Sequence, residues 1–186
     1  MQQGSQADET ALLREVVEGD RNALAALYRL YHTPLFRFAF RLTNSYGTAE
    51  ELVNDVMLAV WKNASQFRHG SKVSTWVFGI AYRQCMSCLR RKRVTIVPDV
   101  RIDQIADSSR DAVEDSQWIE QGLAELPDEQ RVSMMLVFYL GCSYGEVAEI
   151  TGCKEATVKT RMFHARRKLR SSLPSLADPV NQEVTS

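Results

Sequence analysis

No run of about 20 apolar residues occurs in the chain, so no segment reads as a membrane span. The first nine residues are polar and acidic and lack the apolar core of a signal peptide. Histidine is scarce, and His32, His69 and His164 stand too far apart in sequence to form a ligand set. Walker, GxSxG and HExxH patterns are missing, which leaves catalysis without a candidate constellation. The expectation is a protein that is not an enzyme, with no metal, no cofactor and no small-molecule substrate. Four cysteines, at 85, 88, 142 and 153, lack the even pairing of a secreted scaffold. Cys85 and Cys88 form a CxxC with no second Cys or His pair near them. Both fall on the core side of a predicted helix, so structural thiols in a cytoplasmic protein are expected.

Net charge is also absent: 23 Lys and Arg balance 23 Asp and Glu. That balance argues against a nucleic-acid binder until the charges are placed along the chain. Residues 99–129 carry ten acids against Arg101 and Arg110. Residues 154–170 carry seven bases (154, 159, 161, 166, 167, 168 and 170) against Glu155, and Arg90, Arg91, Lys92 and Arg93 form a second basic run. Two cationic patches flanking an anionic connector suit two contacts with a polyanion. At 186 residues and 45% hydrophobic content, the chain has material for two small folded domains.

The apolar periodicity is helical throughout, so an all-α fold is expected. A first helix is predicted from Asp8 to Glu18, stopped by Gly19-Asp20. A longer one spans Ala23 to Leu42, with Pro34 marking a kink or restart. Thr48-Ala49-Glu50-Glu51 has the form of a capping box and predicts a helix to about Ser65. Phe67 to Val73 reads as a polar loop, and a further helix runs from Thr75 to about Arg93. Val94 to Asp115, acidic and without helical period, reads as an extended linker. A last helical unit covers Gln117 to Leu173, and the proline-containing tail from Pro174 is expected to be disordered.

Within that last unit, Ser143-Tyr144-Gly145-Glu146 is a second capping box. It opens a short helix that turns Val147, Ala148 and Ile150 inward and breaks at Gly152. A longer basic helix follows from near Glu155, which completes a helix-turn-helix pattern. On it Val158, Met162, Ala165 and Leu169 lie within about 60° and form the buried stripe. Ala156, Thr160, Phe163, His164 and Arg167 then point away, flanked by Lys159 and Arg170. Cations there suit phosphates and guanine edges, while Thr160 and Phe163 suit thymine methyls.

In the first half, Ala49, Leu52, Val53, Val56 and Val60 form a buried stripe. The opposite face shows Glu51, Asn54, Asp55, Leu58, Trp61 and Lys62, and apolar Leu58 and Trp61 inside a charged rim have the look of a protein–protein hot spot. The helix from Thr75 buries Val77, Ala81, Cys85, Cys88 and Leu89. Its far side carries Trp76, Gly79, Arg83, Met86, Ser87 and Arg90, a surface suited to an unpaired strand with stacked bases.

Together these segments resemble a group IV sigma factor of bacterial RNA polymerase, the extracytoplasmic-function type. Residues 49–61 are similar to that family's polymerase-binding segment of region 2. Residues 67–76, with Ile80-Ala81 and the basic run to Arg93, are similar to its promoter-melting and -10 recognition segment. Residues 126–131, 143–148, 157–161 and 165–169 look like region 4, which reads the -35 element. The resemblance implies a region 2 domain over 8–93, a linker over 94–116, a region 4 domain over 117–173 and a tail over 174–186. It implies core RNA polymerase, promoter DNA and an anti-sigma factor as partners. By position, Glu51, Asp55, Leu58 and Trp61 would touch the polymerase. His69, Gly70, Ser71, Lys72 and Val73 would capture an unstacked base, and Arg83, Met86 and Arg90 would line the -10 DNA. Lys159, Thr160, Phe163 and His164 would enter the -35 major groove, with Arg167 on its phosphates. Lys154, Ala156, His164 and Gly79 depart from the family's commoner residues. The competing reading is a helix-turn-helix regulator that binds its DNA site without polymerase; it leaves Leu58, Trp61 and the run from Arg90 to Arg93 without a purpose.

Overall fold

The computed structural model describes residues 2–68, 70–94 and 122–172, and all regular structure among them is helical. The N-terminal helices are α1 (Gln2–Val17), α2 (Arg21–Thr43), α3 (Tyr46–Asn63), a single 3-10 turn (Ala64–Gln66) and α4 (Val73–Val94). Helical residues 122–124 precede α5 (Asp128–Phe138), α6 (Tyr144–Thr151) and α7 (Glu155–Ser172). The described residues divide into two compact units, one of α1 to α4 with residues 146–152, the other of the remaining C-terminal residues. His69, the linker and the tail from Pro174 lie outside the described residues.

The first unit is organised by α2, which packs against α1, α3 and α4. Its buried row of Ala23, Leu27, Tyr31, Leu35, Phe38, Ala39 and Leu42 repeats every three or four residues, the spacing that keeps one helical face inward. Edge-on contacts of the Phe78 ring with Tyr31 and Phe38, at 6.4 and 5.8 Å, lock α4 to that row. Tyr31 is buried, and its hydroxyl donates to Glu9 Oε2 at 2.7 Å, which ties α1 to α2. Burial and the neighbouring Glu9 carboxylate hold that phenol protonated, far above the ordinary tyrosine value.

Local chemistry sets the helix ends. Gly19, at φ 91°, ends the turn after α1, and its amide and that of Asp20 bond back to Val16 O and Glu15 O. Asp20 then caps α2 by accepting from the Asn22 amide at 2.7 Å. Pro34 neither stops nor restarts this helix, which runs through it. The bond lost at Leu30 O is small beside a buried face on both sides of the proline.

Two expectations are corrected at the next junction. Helix α3 begins at Tyr46, and its cap is Ser45, which accepts from the Thr48 amide at 3.4 Å and from the Thr48 hydroxyl at 3.0 Å. Thr48 is therefore inside the helix, and Glu51 has no capping role. The reason lies one residue upstream. Asn44 takes the left-handed conformation (φ 49°) and closes α2 by donating to Phe40 O at 2.7 Å, so Ser45 is the first extended residue available as a cap. At the far end Val73 opens α4 rather than closing the preceding loop, and it is fully buried.

Helix α4 is more enclosed than one stripe requires: Val73, Thr75, Val77, Phe78, Ile80, Ala81 and Cys85 are all buried. Cys88 and Leu89 are only half-buried. Burial pushes the Cys85 thiol up to about 12, and all four cysteines are free.

In the second unit α5 packs against α7. Val132, Met135 and Leu136 are buried on one helix, and Val158, Met162 and Ala165 on the other. Arg161 Nη2 bonds Glu129 Oε2 at 2.6 Å and pins the pair. Ser143 directly precedes α6, whose Val147 and Ile150 are buried while Ala148 is half-buried. Gly152, at φ 67°, reverses the chain after α6, as the sequence requires. Lys154 O accepts from the Thr157 and Val158 amides and so starts α7.

Two outcomes follow from this packing. Ser45→Ala should cost about 1 kcal/mol, within the usual range for lost caps, in urea unfolding followed by circular dichroism, whereas Glu51→Ala should cost less. Equal losses would place the cap at Thr48 instead. The neutral Cys85 thiol favours the folded state below pH 9.0, its ordinary ionisation point, and this contribution is lost as pH rises toward about 12. Cys85→Ala should therefore flatten the fall in melting temperature between roughly pH 9 and pH 11; an unchanged slope would mean that the thiol is not enclosed.

Candidate nucleic-acid interface

On α7 the stripe of Val158, Met162 and Ala165 is buried, with Leu169 half-buried at its end. Residues 156, 159, 160, 163, 164, 167 and 170 are exposed, in agreement with the helical wheel. Phe163 is 62% exposed, and its ring meets the His164 ring at 5.4 Å. The Thr160 hydroxyl donates to Ala156 O at 3.0 Å, and the residue itself is exposed. Lys159 is held by Glu155 at 2.9 Å, one helical turn earlier, and this carboxylate raises the ammonium pKa.

The seven bases of this segment do not all face a partner. Arg161 is only 16% exposed and turned back to Glu129. Lys168 donates to Glu125 O. The Arg166 guanidinium bonds the Tyr144 hydroxyl at 3.1 Å and lies over the Phe138 ring at 5.8 Å. Lys154, Lys159, Arg167 and Arg170 remain as exposed cations around Phe163 and Thr160. Arg161, Arg166 and Lys168 thus bind the second unit together, although charge counting alone places them in the patch.

On α4, Arg83 and Arg90 are exposed and Trp76, Met86 and Ser87 half-buried, so an arginine-rimmed strip is present. Gly79 does not belong to it. The residue is buried, and a side chain there would meet the Arg83 guanidinium at 3.5 Å. That is an ordinary van der Waals distance, so a small side chain would fit there, and the buried glycine is not part of an exposed strip. In the loop before α4, Gly70 and Lys72 are exposed and Ser71 half-buried, while Val73 is turned into the core. Phe67 is buried, with its ring 5.6 Å from that of Trp76, and anchors the loop's first end. Lys72 O accepts from the Trp76 amide and anchors the second.

On α3, Glu51, Asp55 and Leu58 are exposed, Leu58 to 49%, and Trp61 is half-buried. The stripe expected beneath them is buried throughout and also includes Met57. Beside this face runs a row that the sequence reading missed. Tyr28, His32, Phe36 and Phe40 project from α2 at four-residue spacing, ring against ring at 5.3 to 6.2 Å. Tyr46 meets Phe36 at 5.0 Å, Glu50 meets His32 at 3.4 Å, and the Tyr28 hydroxyl donates to Asn54 at 3.2 Å. The regular interval of aromatic residues in α2 was the available signal. Among the described residues no cluster of His, Cys, Asp and Glu could hold a metal ion, and no helix is long and apolar enough to cross a membrane.

Family models of sigma-70 region 2 and sigma-70 region 4 match residues 27–95 and 116–169. The extracytoplasmic-function RNA polymerase sigma factor SigM of Mycobacterium tuberculosis is 32% identical over 93% of this chain and 88% of its own. The sigma factor SigK of Mycolicibacterium vanbaalenii is 31% identical over 90% of each. Among solved structures, the sigma factor RpoE of Bartonella quintana, crystallised with the anti-sigma factor NepR, is 29% identical. It has a TM-score of 0.68 over 81% of this chain and 96% of that one. CnrH, solved with the cytosolic domain of CnrY, shares the fold with a TM-score of 0.70 at 20% identity, over 92% of this chain and 99% of that one. Both region models match in order, and the alignment with relatives runs almost end to end. The chain therefore belongs to the sigma-70 family, as an extracytoplasmic-function RNA polymerase sigma factor that directs core polymerase to its promoters.

Proposed function

We propose that the three exposed faces divide that work among them. Residues 8–93 form the unit that binds polymerase and opens the promoter, and residues 117–173 the unit that reads the -35 element. Residues 94–116 connect them, and residues 174–186 are a tail. Glu51, Asp55, Leu58 and Trp61 dock on core polymerase, apolar groups inside an acidic rim. His69, Gly70, Ser71 and Lys72 hold a base taken from the non-template strand. Arg83, Met86 and Arg90 lie along the -10 DNA. Lys159, Thr160, Phe163 and His164 enter the -35 major groove, and Arg167 contacts a phosphate. The observation that carries this reading is Phe163, a large aromatic left open between cations on a helix whose other side is buried.

The chain works by binding alone, in the cytoplasm with the polymerase, and the reaction centre is the polymerase's own. An anti-sigma factor is its regulatory partner in a stress or envelope response. Support comes from the likeness to the Bartonella quintana sigma factor, whose structure holds an anti-sigma factor.

Trp61→Ala should weaken binding to core polymerase by about 2 kcal/mol in a fluorescence titration while leaving helicity near normal. Loss of helicity instead would make Trp61 a core residue. The DNA faces separate in a second experiment. Phe163→Ala should cut transcription most from promoters that depend on their -35 element, and Arg167→Ala should weaken binding to all sequences and reduce its salt dependence. Substitutions at Ser71 or Lys72 should spare duplex binding and slow strand opening. Permanganate reactivity of thymines near the start site, on native and pre-melted templates with holoenzyme, distinguishes these. Normal opening by the loop variants would remove the base-holding role.

A further inference from the structure

The Glu155–Lys159 pair adds little to the fold beyond the small helix-stabilising effect of an acid in the first turn of α7 paired with a base four residues on. Both side chains are more than half exposed, at 51% and 62%. A lone carboxylate on this face would repel the phosphates of any duplex and weaken binding to every sequence alike. Tied to Lys159, it instead presents an acceptor beside a donor, with the two atoms 2.9 Å apart.

That separation has a counterpart in the major groove. A G·C pair shows guanine O6, an acceptor, next to cytosine N4, a donor, and the two are themselves joined by a hydrogen bond of about 2.9–3.0 Å. Lysine is a partner for guanine O6 and N7, and a carboxylate is a partner for cytosine N4. An A·T pair also places a donor beside an acceptor. There, however, the carboxylate over adenine N6 would meet the N7 acceptor next to it, and the lysine over thymine O4 would meet a methyl group. Over G·C the lysine instead gains a second acceptor in N7, and no acceptor lies beyond cytosine N4. The first turns of a recognition helix are also the part that reaches base edges.

We propose that Glu155 and Lys159 read a single G·C base pair of the -35 element as a unit, the ammonium on guanine and the carboxylate on cytosine N4. Glu155 is then a specificity-determining residue. This rests on the assignment of the exposed α7 face as the -35 reader.

The test is transcription by holoenzyme on a promoter library randomised across the -35 element. Wild type should show a strong guanine preference at one position. Lys159→Ala and Glu155→Ala should each lower it roughly tenfold, one well-formed base contact, at that same base pair and leave other positions unchanged. Glu155→Gln, which still offers a carbonyl acceptor, should keep part of it. Relaxation at two different base pairs would overturn the proposal. So would uniformly tighter binding by Glu155→Ala with every preference intact, the result expected of simple repulsion. Phe163→Ala in the same library tests the underlying assignment. If it shifts preferences while the Glu155 and Lys159 variants do not, the paired reading fails alone. If none of the three shifts any position, α7 is not the reader and both readings fall.

Discussion

Val158, Met162 and Ala165 surrender essentially all of their surface to the core, and they belong to one stripe of a helix with 3.6 residues per turn. Once that stripe is committed, α7 has no freedom in what it shows to a partner. Phe163, Thr160 and Arg167 must face outward, with Lys159 along the edge. The first unit obeys the same constraint. Leu52, Val53, Val56 and Val60 hold α3 against α2, and Glu51, Asp55 and Leu58 are open as a consequence. Each face proposed to meet a partner is the remainder left by core packing, so a core substitution would move it.

Electrostatics then decides which residues of those faces are available. Arginine is the residue most prone to be claimed internally, because its planar fork satisfies a carboxylate or hydroxyl partner with good geometry. Arg161 goes to Glu129 and Arg166 to Tyr144 and Phe138, so two of the bases that make the segment look like a polyanion binder serve the fold instead. What is left is a smaller and more discriminating surface: an aromatic ring, a threonine methyl, a tied Lys159 and a few exposed cations. Affinity for phosphate falls in such an arrangement, and the relative weight of base-edge contacts rises. A sigma factor gains from that balance, because polymerase supplies much of the binding and the factor supplies the choice of sequence.

The aromatic row on α2 joins the two considerations. Tyr28, His32, Phe36 and Phe40 are neither core nor free; each is half-buried against a neighbour in the row, and the polar edges end on Glu50 and Asn54. Such a row stiffens the α2–α3 pair just beside the face that carries Leu58 and Trp61. The row thus supports the face proposed to meet polymerase without belonging to it.

Local pattern was enough to determine the helical class, the order of the elements, the Gly152 turn and the exposed face of α7. Helix periodicity is a property of neighbours in sequence, and a left-handed glycine needs only its own backbone. The buried stripe of α3 was legible for the same reason. Tertiary structure decided the rest. Ser45, not Thr48, caps α3, because Asn44 had already been taken to close α2. Val73 and Gly79 sit inside the core because α4 is enclosed on more sides than one stripe reveals. Arg161 is withdrawn because Glu129, more than thirty residues earlier, lies across from it. A sequence shows which residues carry charge or apolar surface, but a partner from a distant element decides whether that surface is spent inside the protein or left for DNA.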